Sequence, residues 1–142
     1  MYEMNPLIYV RAKYVDGNFS GLIQECCEKE PHTFSSTEGM ETRIDYYASN
    51  MISVRNIIDY YCPRGDWEID SYNFKYYNQD YVTYWIEIIA CQHGTWQGKL
   101  TCRGKKNFFK SKYDLFSLME DAYASDRSTR DQRKPRAAVG KK

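Results

Sequence analysis

Alternation of apolar and polar positions opens the chain. Ile8, Val10, Ala12 and Tyr14 fall on one side of an extended segment, Leu7, Tyr9, Arg11 and Lys13 on the other, and Asp16-Gly17 follows. A two-residue turn at Asp16-Gly17 pairs Tyr14 with Phe19, Ala12 with Gly21 and Val10 with Ile23, bringing apolar side chains together on one face. This predicts an N-terminal hairpin. The pattern fades at Gln24-Glu25, and Pro31, which cannot donate to a sheet ladder, marks the end of the strand.

The period changes at Ser35-Ser36-Thr37-Glu38, which has the form of a helix N-cap with an acid three residues on. Met40, Ile44, Tyr47, Met51, Val54, Ile58 and Tyr61 then recur at alternating steps of four and three, one stripe along about 25 residues. Glu41, Asp45, Asn50, Arg55 and Asp59 lie mostly away from it. The stripe predicts a helix packed on a sheet, stopped by Cys62-Pro63-Arg64-Gly65.

Residues 67 to 103 read as a three-stranded antiparallel meander. A loop at Asn78-Gln79-Asp80 pairs Tyr76 with Val82, Phe74 with Tyr84 and Tyr72 with Ile86. A three-residue loop at Gln92-His93-Gly94 pairs Ala90 with Trp96, Ile88 with Gly98, Ile86 with Leu100 and Tyr84 with Cys102, and sets Glu87 opposite Lys99. One face is then apolar. The other mixes Lys75, Tyr77, Tyr81, Thr83, Trp85, Glu87, Lys99, Thr101 and Arg103.

Ser111-Lys112-Tyr113-Asp114 opens a second helix with a stripe of Leu115, Leu118, Met119, Ala122 and Tyr123, expected to end near Ser125. Residues 126 to 142 are basic and nearly without apolar content, so a flexible tail is expected. No internal repeat is evident. The expected architecture is an α+β domain over residues 1 to 125. An antiparallel sheet, made of the N-terminal hairpin and the three-stranded meander, packs against two helices in the order β-β-α-β-β-β-α.

Composition adds bulk from an unusual source: 14 Tyr and 3 Trp among 142 residues supply a core that Leu, Ile, Val and Phe alone would leave thin. No stretch approaches the ~20 apolar residues of a spanning helix, so no membrane association is expected. The N-terminus lacks the apolar run of a secretory leader. Five Cys, odd in number and without a C-x-x-C pair, fit an intracellular, cytoplasmic setting, with the nucleus open in a eukaryotic host.

Charge changes the picture further. Residues 1 to 98 hold 7 Lys/Arg against 14 Asp/Glu, whereas residues 99 to 142 hold 13 against 5. The basic positions Lys99, Arg103, Lys105, Lys106, Lys110, Lys112, Arg127, Arg130, Arg133, Lys134 and Arg136 form the kind of cluster that neutralises phosphates. Tyr77, Tyr81 and Trp85, flanked by Lys75, Lys99 and Arg103, match in type the platforms on which unpaired bases stack. If the hairpin covers that face, the same rings are ordinary core.

Other chemistry finds less support. Cys26, Cys27, His32, Cys62, Cys91, His93 and Cys102 are poorly spaced for Zn²⁺, so no metal or other cofactor is expected. His32 and His93 have no Ser or Asp constellation beside them, and no dinucleotide or phosphate-loop pattern occurs. Over residues 36 to 124 the element order resembles the double-stranded-RNA-binding domain in outline, with Gly104-Lys105-Lys106 and Lys110-Ser111-Lys112 before the last helix. Tyr113 to Tyr123 departs from that family's alanine-rich helix.

The expectation is a small non-enzymatic nucleic-acid-binding protein, for RNA or DNA. The alternative is a protein-binding inhibitor or adaptor, of the viral or mobile-element accessory type, that blocks a host complex through an aromatic or acidic surface.

Overall fold

The computed structural model describes residues 5–26, 28, 30–49, 76 and 79–140, with side chains described as far as Thr129. Its elements are β1 (Leu7–Val15), β2 (Asn18–Glu25), β3 (His32–Phe34), α1 (Thr37–Ser49), β4 (Val82–Gln92), β5 (Thr95–Cys102), β6 (Lys105–Phe109) and α2 (Lys112–Gly140). The strands form one antiparallel sheet in the order β3-β2-β1-β4-β5-β6. The α+β class, the antiparallel sheet and the two helices are as expected, with one strand more ahead of α1.

The first hairpin has the register that turn chemistry predicts: Val10 lies opposite Ile23, Ala12 opposite Gly21 and Tyr14 opposite Phe19. Asp16 and Gly17 both take positive φ, 55° and 81°, the mirror-image turn that matches strand twist. Two further turns repeat the device, His93-Gly94 at 59° and 72° and Arg103-Gly104 at 52° and 81°.

Three expectations are corrected at β4. Its edge over Val82 to Glu87 is taken by β1, with Ile8 opposite Ile86 and Val10 opposite Tyr84, in the place assigned to Tyr72, Phe74 and Tyr76. The hairpin therefore extends the sheet edge to edge and does not lie over it. Residues 67 to 75 are outside the described residues. The β4–β5 connection is the two-residue His93-Gly94 turn, so Cys91, not Ala90, faces Trp96. A bulge between Ile88 and Ala90 then restores the expected pairs Ile88–Gly98, Glu87–Lys99 and Ile86–Leu100.

β3 and β6, read in the sequence as loop, are the two edge strands. The meander is thus β4-β5-β6, one strand later than expected. The unit that resembled the double-stranded-RNA-binding domain is the second half of a continuous six-stranded sheet.

Ser36, one position after the expected start, caps α1: its Oγ accepts from Gly39 N at 3.1 Å and its carbonyl from Met40 N at 3.0 Å. The stripe positions beyond Ser49 are outside the described residues. Ser111 caps α2, its Oγ accepting from Asp114 N, while Asp114 Oδ2 accepts from Lys110 N, both at 3.0 Å. The boundary expected at Ser125 falls inside α2: Asp126 is buried, and the helical backbone continues to Gly140.

Both helices cover the same face of the sheet. Met40, Ile44 and Tyr47 from α1 and Leu115, Phe116 and Met119 from α2 join Ile8, Val10, Tyr84, Ile86, Ile88, Trp96 and Leu100 in one buried cluster. Trp96 and Tyr84 are satisfied inside it, donating to Asp45 Oδ1 at 2.7 Å and to the Met119 carbonyl at 3.1 Å.

Among the described residues a β-β-β-α order occurs twice, although the sequence shows no repeat. β1, β2, β3 and α1 correspond to β4, β5, β6 and α2, with β1 and β4 antiparallel at the centre. Gly21 stands opposite Phe34 as Gly98 stands opposite Phe109. At both glycines an added Cβ would lie 2.0 Å from a neighbouring-strand carbonyl, that of Arg11 or of Glu87. Even the helix entries match: Thr37 N donates to Asn18 Oδ1 at the start of β2, and Lys112 N to Thr95 Oγ1 at the start of β5. The bulge in β4 and a path from Gly21 to Phe34 two residues longer than that from Gly98 to Phe109 break the spacing and hide the repeat.

Candidate nucleic-acid interface

The sheet face away from the helices is ordered by the register. Across β1, β4, β5 and β6 one row runs Tyr9, Trp85, Thr101, Lys106 and the next Leu7, Glu87, Lys99, Phe108. Trp85 is half-buried and meets Tyr9 edge to face at 5.0 Å. Tyr76 packs with Tyr9, Leu22 and Trp85, and its carbonyl accepts from Arg11 Nε at 2.6 Å. Tyr81 stacks edge-on to Tyr76 at 5.2 Å, with Lys13 Nζ 5.5 Å from its ring. Tyr77 is outside the described residues.

Two concavities flank Trp85. One, of about 440 Å³, is bounded by Arg11, Tyr81, Thr83, Arg103, Asp126 and Thr129. The other, of about 300 Å³, is bounded by Leu7, Glu87 and Lys99. Trp85 and Thr101 line both.

The basic residues divide by environment. Lys106 is exposed on the open face, and Lys110 is exposed at the end of β6; neither has an ion-pair partner among the described residues. Lys99 lies 3.5 Å from Glu87, and both side chains remain about 30% exposed. Arg103 pairs with buried Asp126 at 3.0 Å while staying 44% exposed. Arg127 donates to the Gln79 carbonyl at 2.9 Å and lies 3.4 Å from Asp80. Lys105 points to the helix side, opposite Cys102.

Lys112 does not join this surface. Its side chain is 14% exposed, and its ammonium sits 3.0 Å from Glu41 and 3.4 Å from Asp45, above the Trp96 ring at 4.9 Å. Burial opposes the charge, and the two carboxylates outweigh it, so its pKa is raised. Lys112 clamps α2 to α1. Of the tail, Arg130, Arg133, Lys134 and Arg136 lie on the helical backbone of α2, where positions 127, 130 and 134 share a side by spacing.

Phe108 is the aromatic residue that sequence reading passed over. It is 72% exposed on the open face, directly opposite Lys99. The alternation of β6 was the available signal, masked by two adjacent phenylalanines of which Phe109 enters the core.

Cys102 carries a free thiol, and among the described residues no three His, Cys, Asp or Glu side chains gather as a metal site. Among these residues, too, no helix is long and apolar enough to cross a membrane. Comparison with family models, with curated proteins and with solved structures gave no match.

Proposed function

We propose that this chain binds single-stranded nucleic acid, without catalysis, on the open face of β4, β5 and β6. One observation carries the reading: Trp85 and Phe108 share a face with Lys99 and Lys106, and that face lies away from both helices. Stacking on aromatic rings is indifferent to base identity, and cations between the rings hold the backbone. Arg103, which lines the cavity beside Trp85, contributes its exposed edge. Unpaired bases suit a shallow sheet face, whereas a duplex hides its base faces. A free thiol at Cys102 suits action in the reducing cytoplasm.

The test is fluorescence anisotropy with labelled single-stranded and duplex DNA and RNA at low and moderate salt. Binding that prefers single strands and weakens steeply with salt is expected, because phosphate contacts release counterions. Binding that ignores salt, or none at low salt, overturns the reading.

A further inference from the structure

The duplication allows one half of the molecule to be used as a template for the other. In the first half, the space between β3, the end of β2 and α1 is filled. Glu28, from the long β2–β3 connection, enters it and accepts from Tyr47 Oη at 2.5 Å and from Glu25 N at 3.0 Å. Arg43 Nη2 and His32 Nε2 each lie 3.0 Å from its other oxygen. Tyr47 is 2% exposed, and burial, then the Glu28 carboxylate, raises its pKa.

In the second half every piece of that filling is missing. The position of Tyr47 is held by Ala122, that of Arg43 by Leu118 and that of His32 by Asn107. The tight Arg103-Gly104 turn replaces the connection that carries Glu28. What remains is a cleft of about 510 Å³, with Leu100, Cys102, Leu118 and Ala122 as its apolar wall and Lys105, Asn107 and Asp121 among its polar lining. Its size is that of a small-ligand or side-chain pocket.

We propose that this cleft docks a partner protein through an aromatic side chain adjacent to an acidic one, replacing in trans the Tyr47 ring and Glu28 carboxylate that the first half supplies in cis. The ring lies on Leu118 and Ala122, where the missing side chain leaves room. The carboxylate meets Lys105, which is exposed and has no ion-pair partner among the described residues. Asp121, exposed on α2, limits acid to the β6 side of the cleft. β6 is moreover an edge strand, whose outer backbone groups can pair with an extended segment. The cleft is on the helix side of the sheet, away from Trp85, and stands independently of nucleic-acid binding.

The probe is a capped acidic peptide with one central tyrosine, titrated into ¹⁵N,¹³C-labelled full-length protein. Chemical-shift changes centred on Lys105, Asn107, Leu118 and Ala122 are expected, and a peptide with alanine for tyrosine should produce none. Lys105→Glu should weaken binding at least about tenfold, a loss of ~1.4 kcal/mol. Ala122→Tyr, which rebuilds the first-half filling, should abolish it while the remaining spectrum stays native. Should Ala122→Tyr not fold, the Lys105→Glu and alanine-peptide comparisons decide alone. Shifts confined to the Trp85 face, shifts insensitive to both substitutions, or concentration-dependent shifts at the cleft without peptide, which would make a second copy the occupant, each overturn the proposal.

Discussion

Tyr9 and Trp85 face each other across β1 and β4, ring centroids 5.0 Å apart and planes at 68°, and the approximate two-fold axis relating the halves of the chain passes between them. Around this axis the two halves of the open face are dressed differently. Beside Tyr9, Leu22 is 1% exposed and Tyr76 packs over it. At the position equivalent to Leu22, the second half carries Lys99, in open contact with Phe108 and Glu87. An apolar residue in one half and a lysine at its counterpart leave only the second half suited to a solvated, charged ligand.

From this asymmetry follows the first expected outcome. Trp85→Ala and Phe108→Ala should each weaken single-strand binding by about 5- to 150-fold, the range for one stacked base at ~1 to 3 kcal/mol. Phe108→Ala should leave the thermal midpoint nearly unchanged, because the ring is 72% exposed. Anisotropy on both variants, with melting curves alongside, checks this; equal affinity of the Phe108 variant removes that ring from the surface.

The glycine pair tests the duplication. Gly21→Ala and Gly98→Ala each drive a Cβ to within 2.0 Å of a backbone carbonyl, and at Gly98 the Phe109 ring is also 2.8 Å away. Strands must separate to relieve this, so each variant should lose about 3 kcal/mol or more, roughly 10 °C in Tm. Comparable losses measured by calorimetry are expected; a tolerated Gly98→Ala would contradict the close approach.

Legibility in the sequence depended on how local the determining physics was. The pairs Tyr14–Phe19 and Ala12–Gly21 followed from one Asp-Gly turn and simple alternation, since both signals lie within a dozen residues. Near His93 the same reasoning assigned the turn one residue too many, and the bulge at Ile89, which has no compositional mark, concealed the discrepancy beyond Ile88. β3 has three residues, too few for any period. The insertion of β1 beside β4 is a long-range choice between two apolar strands, which alternation cannot rank. Within the candidate site, Trp85, Lys99 and Lys106 were visible from pattern alone. The pairing of Lys112 with Glu41 and Asp45 was not legible, because those partners lie far away in the chain.

Separating Lys112 from Lys106 gives a second functional contrast. Lys112→Met keeps a long chain over Trp96 but leaves Glu41 and Asp45 without their cation. Destabilisation by about 1 to 2 kcal/mol is expected, with nucleic-acid affinity unchanged under folding conditions. Lys106→Ala should do the reverse, lowering affinity and the steepness of its salt dependence without moving Tm. Urea unfolding paired with salt-dependent anisotropy distinguishes them.

Alkaline pH probes the buried thiol at the end of β5. Burial, then the Asp126 charge, push the Cys102 thiol up from 9.0 to about 11, with Arg103 acting in the opposite direction. Below pH 9 the thiol is neutral in folded and unfolded chains alike, so its contribution to stability is fully present. As pH rises from 9 towards 11 the unfolded chain releases the proton and the folded one retains it, so stability falls by up to about 1.4 kcal/mol per pH unit from this group. Tyr47 and Tyr84, raised chiefly by burial, add to the decline above pH 10. Cys102→Ala removes much of this loss: its unfolding free energy should start lower at neutral pH, because a buried side chain is shortened, yet fall less steeply than wild type between pH 9 and 10, where the Cys91 thiol, raised by burial and then Asp45, keeps a residual slope. A wild-type curve no steeper than the variant's across that interval would show that Cys102 ionises as readily in the folded chain as in the unfolded one.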